Sequence, residues 1–237
     1  MNRAVVLGVA LAALVAATVL TSIDVRQQRE FRRLIASGDA ALAHEQTIAA
    51  IEAFSGAMAL RPASMLPYLK RGDTYRHRGD YAAALRDLRR AAALDPTATR
   101  PLELLGDVAA ALNRQDEAIE HYTQYLALDD RAPRVLYKAA LAHYHAGRTS
   151  AASQLVRKAL AIDESFAEAH YFLALCLRAD GKTDAALRAL RRAVALDPKL
   201  GDARVELAAL YGMLGRRHEQ LEQLQAVSAL DHETAAP

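Results

Sequence analysis

Residues 65–98, MLPYLKRGDTYRHRGDYAAALRDLRRAAALDPTA, decide the fold of this chain. They read as two helices, because Tyr68, Leu69, Gly72 and Tyr75, and then Tyr81, Ala84, Leu85, Leu88, Ala91 and Leu94, fall at helical spacing. A break at Arg78-Gly79-Asp80 separates the two, and Pro96 ends the second because its ring cannot continue a helix without losing a hydrogen bond. Working outward, Gly72-Asp73 recurs 34 residues earlier as Gly38-Asp39 and 34 residues later as Gly106-Asp107. The same step joins Pro62 to Pro96, and three steps join Asp95-Pro96 to Asp197-Pro198. A period of that length means stacked supersecondary units, each burying its apolar face on the next, and not one closed core.

Cutting at the period gives six helix-turn-helix units, 31–64, 65–98, 99–132, 133–166, 167–200 and 201–234, after an N-terminal segment 1–30 and before a tail 235–237. Small and large positions alternate along each unit. The eighth position is Gly38, Gly72, Gly106, Ala140, Ala174 and Ala208; the twentieth is Ala50, Ala84, Ala118, Ala152, Ala186 and, as an exception, Gln220. The twenty-fourth is bulky: Phe54, Leu88, Tyr122, Val156, Leu190 and Leu224. Ridges of that kind fill grooves at close-packed density. Apolar residues make up 52% of the chain while aromatics make up 5%, so Ala and Leu supply the core and an all-α fold is favoured over any sheet.

These positions resemble the tetratricopeptide repeat, and the likeness covers everything after residue 30. It implies a right-handed superhelical solenoid in which the first helix of each unit lines a concave groove that holds protein or peptide partners. In that frame Asp39, Asp73 and Asp107 occupy the ninth position of units one to three and form a ladder of carboxylates suited to Lys or Arg of an extended ligand, or else they simply solvate the groove. Acid at these positions, with no Asn, speaks against a ligand held by its C-terminal carboxylate. Units four and five present Tyr137, Leu141, Tyr144 and His145, then Tyr171, Leu175 and Arg178, which are either anchor pockets for apolar side chains or packing between repeats. Unit three ends in Asp129-Asp130 without a proline, so its closing turn is expected to differ. The last helix is rich in polar residues, Glu219, Gln220, Glu222, Gln223 and Gln225, as a terminal repeat requires, yet it leaves Leu221 and Leu230 for a partner or a second copy to cover.

Ahead of the repeats, residues 4–23 are uncharged and apolar, about the 20 residues that cross a bilayer as a helix. The segment is read as a retained single-pass anchor, with a signal cleaved after Val15-Ala16-Ala17 as the alternative. The body is placed outside the cytoplasm, periplasmic in a bacterium. A cytoplasmic-facing body is the alternative, since Arg26, Arg29, Arg32 and Arg33 follow the segment.

Nothing in the chain assembles into catalytic, metal or cofactor chemistry. His143 and His170 fall where the repeat packs an aromatic, Cys176 sits in a small buried position, and the glycines are explained by packing and turns. Net charge of +2 disfavours nucleic acid, although Arg86, Arg89 and Arg90 recur as Arg188, Arg191 and Arg192 on the second helices and offer an anionic surface a place to bind. The sequence therefore reads as a membrane-tethered, non-catalytic interaction scaffold or assembly factor. The alternatives are a regulatory subunit of a membrane-bound enzyme, and a binder of anionic surfaces or nucleic acid.

Overall fold

A computed structural model describes the backbone of residues 3–234 and the side chains of residues 14, 18 and 20–230. Among the described residues there are twelve helices and no strand: α1 (Arg3–Ala43), α2 (Thr47–Leu60), α3 (Met65–Arg78), α4 (Tyr81–Leu94), α5 (Thr99–Ala111), α6 (Gln115–Leu128), α7 (Pro133–His145), α8 (Thr149–Ile162), α9 (Ala167–Ala179), α10 (Thr183–Leu196), α11 (Gly201–Met213) and α12 (Arg217–Thr234). They fall into two compact units, Met1–Val108 and Ala109–Pro237. In the first, α1 packs on α2, α2 on α3 and α3 on α4; in the second, each helix from α6 to α12 packs on the next.

Close approach of helices in the first unit depends on missing side chains. A Cβ added at Gly38 would lie 2.3 Å from the Phe54 ring, and one at Gly72 would lie 2.9 Å from Leu88. Phe54 and Leu88 are themselves fully buried, so neither can withdraw into solvent. Where the twenty-fourth residue is the smaller Val156, the eighth accepts the methyl of Ala140, and both are fully buried. Ala50, Ala84, Ala118, Ala152 and Ala186 are fully buried as well. Their exception, Gln220, finds room over Gly212, where a Cβ would come within 2.7 Å of its Nε2. Gln223 is also not a solvating residue: it is turned inward because Arg204 on α11 donates to its Oε1 at 2.9 Å.

The turns are equally repetitive. In all six units the backbone N–H of the sixteenth residue reaches the carbonyl of the eleventh, as in Gln46 to Ala41 (2.8 Å) and Arg216 to Tyr211 (2.8 Å), which closes the first helix through a left-handed fifteenth residue. Between units one and two the bend begins at Arg61, and at the four later junctions an aspartate makes it. Asp95, Asp129, Asp163 and Asp197 each accept the backbone N–H two residues on, at 2.9–3.1 Å. The turn after unit three is thus built like the others, with Asp129 at φ −141° beside −139° for Asp95. The aspartate organises this turn, so the expected effect of the absent proline is not seen.

Of the apolar run 4–23, most side chains lie outside the described residues; Leu14, Leu20 and Ile23 are exposed. Among the described residues no helix is long and apolar enough to cross a membrane. The backbone of α1 passes through residues 24–30 without interruption, since no Pro or Gly stands there. Arg61 at the end of α2 pairs with Asp24 at 3.1 Å and lies over the Phe31 ring at 5.8 Å, which ties that stretch to the first repeat.

An ion pair inside the first unit has no counterpart in the sequence reading. Arg71 donates from Nε and Nη2 to the two carboxylate oxygens of Asp87 at 2.7 and 2.9 Å, and from Nη1 to Ser55 Oγ at 2.8 Å, joining α2, α3 and α4. Asp87 is only 7% exposed, and its hydrogen bonds are the main reason the Arg71 pKa rises.

Three outcomes are expected. In an exposed helix Gly→Ala stabilises by about 1 kcal/mol, but Gly38→Ala should destabilise by about 1–3 kcal/mol in urea unfolding, because Phe54 has nowhere to move. Asp87→Ala should cost about 2–3 kcal/mol by the same measurement, whereas Arg71→Met combined with Asp87→Leu should recover most of the loss. The Asp163 carboxyl is held below its ordinary value, chiefly by the Ser165 hydroxyl and then by its N–H. A lowered pKa contributes stability above the unfolded value, about 4, and loses it as pH falls through the folded value. Asp163→Ala should therefore melt earlier than the parent at neutral pH and converge with it in acid.

Candidate interaction surface

The aspartates expected as a ladder all lie in the first unit, and cations already meet them. Asp39 on α1 receives Lys70 Nζ of α3 at 2.7 Å. Asp73 takes Arg76 Nε at 2.8 Å, with Arg100 of α5 at 3.8 Å and the His77 ring at 3.6 Å on the same carboxylate. Burial opposes the Arg100 cation, while Glu103, Asp73 and Asp107 favour it and its pKa rises. An incoming cation would have to compete with these internal ones. A groove of about 450 Å3 opens beside Asp73, lined by Leu42, Glu45, Thr47, Lys70 and His77 among others.

In the second unit the expected anchors converge on one buried ring. Phe172 is 2% exposed; Tyr137 meets it edge-on with centroids 5.7 Å apart, and Tyr144 does so at 5.4 Å. Tyr137 also meets Phe166 in a tilted contact with centroids 5.0 Å apart, and burial, with Glu168 and Tyr171 nearby, pushes its phenol up to about 12. Tyr171, Leu141 and Leu175 pack against the same core and remain partly exposed. These residues therefore join repeats four and five and present their outer edges to solvent at once. Arg178 is paired with Glu206 of α11. Leu141 and His145 line a second groove of about 340 Å3 with Asn113, Gln115, Tyr122 and Lys138. On α11, α12 and the turn between them, Val205, Met213, Leu214, Leu221 and Leu224 are exposed, whereas Leu230 is half-buried.

The remaining singled-out residues have structural environments. Cys176 is fully buried, and burial lifts its thiol to about 11, which removes thiolate reactivity at neutral pH. His143 is partly buried, with its pKa lowered first by burial and then by Arg148, and His170 meets the Glu164 carbonyl at 3.1 Å. Arg86, Arg89, Arg90, Arg188, Arg191 and Arg192 are all exposed. Arg191 donates to Tyr211 Oη at 2.9 Å and lies over its ring, and Arg90 lies over Tyr68 at 6.0 Å, so part of this charge is engaged inside its own unit. The Arg71–Asp87 pair escaped the sequence reading because its partners sit 16 residues apart on two helices; an aspartate on the apolar face of α4 was the available signal.

Solved structures share this architecture. PilF of Pseudomonas aeruginosa is 16% identical with a TM-score of 0.74, covering 84% of this chain and 91% of its own. MamA from Desulfovibrio magneticus RS-1 is 20% identical with a TM-score of 0.66 over 73% of this chain and 97% of its own. YrrB, described as a repeat protein with an unusual peptide-binding site, is 21% identical with a TM-score of 0.63 over 76% and 93%. At these identities the likeness speaks for the fold alone. No curated protein is significantly similar in sequence. The tetratricopeptide repeat family pattern matches at 30–99, 69–133, 103–165 and 137–201, and since these overlapping matches run over most of its length, the chain belongs to the tetratricopeptide repeat family.

Proposed function

We propose that this chain is a membrane-anchored, non-catalytic scaffold or assembly factor that holds protein partners on the first helices of its repeats. Tetratricopeptide repeats are protein-interaction scaffolds, and the peptide-binding site of YrrB shows that a solved relative of this fold takes such a ligand. The observation that carries the reading is the set Leu141, Tyr144, Tyr171 and Leu175. Its members are rigidly held by the buried core yet partly open to solvent, which is what an anchor for an incoming apolar side chain requires. Anchoring rests on the uncharged run 4–23 and on its helical continuity with the first repeat. Eight residues from Ile23 to Phe31 place that repeat roughly 12 Å from the end of the apolar run, close enough to act on proteins of the same membrane. We place the repeats outside the cytoplasm.

The test is a pull-down from solubilised membranes with the N-terminal segment intact, read by mass spectrometry. Asp73→Lys and Tyr144→Ala, each checked for retained helicity, should strip co-purifying proteins from the chain. An unchanged set of proteins in both variants overturns the scaffold reading, and capture that instead falls steeply with salt and with Arg89→Ala and Arg90→Ala favours an anionic partner.

A further inference from the structure

Charge is distributed unevenly around the stretch of α1 that joins the apolar run to the first repeat. Residues 24–33, DVRQQREFRR, carry two acids and four arginines. Asp24, Gln28 and Phe31 follow one another at intervals of four and three, so they share one face of the helix. That face is turned to the first repeat. Phe31 is buried, Arg61 from the end of α2 lies over its ring at 5.8 Å, and the same guanidinium donates to Asp24 at 3.1 Å. Arg26, Arg29 and Arg33 are spaced at three and four, and Arg26 is two residues from Asp24, about half a turn. They stand on the opposite face, and all three are exposed.

Both acids of the stretch are neutralised within the chain. Asp24 is held by Arg61, and Glu30 receives Arg33 through Nε at 2.9 Å and Nη2 at 2.6 Å. Arg26 and Arg29 meet no carboxylate among the described residues. Cations of the neighbouring first helix are committed instead, Lys70 to Asp39, Arg71 to Asp87 and Arg76 to Asp73. Two open guanidiniums therefore stand beside the apolar run, with every nearby carboxylate taken up.

Their depth follows from the rise of the helix. Because α1 is unbroken across Arg3–Ala43, Arg26 and Arg29 stand roughly 5 and 9 Å along its axis from Ile23, where the apolar run ends. The headgroup layer of a bilayer is about 5–8 Å deep on each side. Helical side chains lean toward the N-terminus, here toward the apolar run, so both guanidiniums reach back into that layer. A guanidinium is weakly hydrated and its fork matches a phosphate. We infer that Arg26 and Arg29 bind the phosphates of anionic phospholipids on the face of α1 that the first repeat leaves open. Arg61 assists by neutralising Asp24, a carboxylate at the headgroup boundary that would otherwise repel the same phosphates. The two contacts set the rotation of α1, with the repeat on one side and lipid phosphate on the other.

This inference rests on the anchored reading. The test is native mass spectrometry of the full chain released from nanodiscs of equal parts phosphatidylglycerol and phosphatidylcholine. Lipid retained by the chain should be enriched about fivefold in phosphatidylglycerol. Arg26→Gln combined with Arg29→Gln should return it to the bilayer ratio, Lys at both positions should keep most of the enrichment, and Arg86→Gln with Arg89→Gln on α4 should change nothing. Equal retention of the two lipids by the parent, or an enrichment that survives the Gln pair, overturns the assignment. An alkaline wash of vesicles carrying the chain tests the anchor separately. Chain that stays in the vesicles yet shows no lipid preference removes the headgroup contact and leaves the anchor standing, whereas chain that washes out overturns the anchor whatever the lipid count.

Discussion

Contact between the eighth and twenty-fourth positions of a repeat is the constraint on which the rest of this structure depends. At Gly38 no Cβ fits beneath Phe54, and at Gly72 none fits beneath Leu88. In units one and two the two helices therefore pack at a separation set by the absence of a methyl group, in units four to six a buried alanine methyl takes that place, and buried alanines at the twentieth position continue the same close approach. Because a helix pair of this size cannot bury its apolar face alone, each unit leans on its neighbour, and stability accrues from nearest-neighbour interfaces. Exceptions are compensated locally. Gln220 is accommodated because Gly212 leaves space for its amide.

Polar groups supply the punctuation between these packed pairs. At four of the five junctions an aspartate caps the backbone of the bend, and unit three, which lacks the proline, has one in Asp129. The Arg71–Asp87–Ser55 network adds a specific polar tie among three helices of the first unit, with all three guanidinium nitrogens donating and both Asp87 oxygens accepting. An ion pair with a buried carboxylate is weak as a source of net stability, but it penalises any slip of α4 against α3, since a shift would leave Asp87 unpaired.

Much of the fold was legible because it lies in a period. Small residues at the eighth and twentieth positions and bulk at the twenty-fourth recur through chain-local rules, and the twelve helices follow from them. The candidate surface was legible only in part. Leu141, Tyr144, Tyr171 and Leu175 were identified by position, yet Tyr137 and Tyr144 spend much of their surface on Phe172, a residue of the following repeat. The carboxylates of repeats one and two were identified as well, but some of their cations arrive from the next first helix, as Lys70 does for Asp39 and Arg100 for Asp73. Neither fact is contained in a one-repeat template, because both arise where one unit meets the next.

Residues 24–33 hold two acids and four arginines, a mixture that does not say which charges stay open. That was decided only when Arg61, 37 residues away, reached Asp24 and Arg33 closed on Glu30, leaving Arg26 and Arg29 exposed on the far face of α1. The sequence by itself determined the repeat, its helices and its packing contacts, since periodic size and polarity dictate which faces can be buried. Only the tertiary structure decided which charges were already neutralised, which aromatic edges stayed open and which residues shared a groove, because those depend on side chains from different repeats meeting in space.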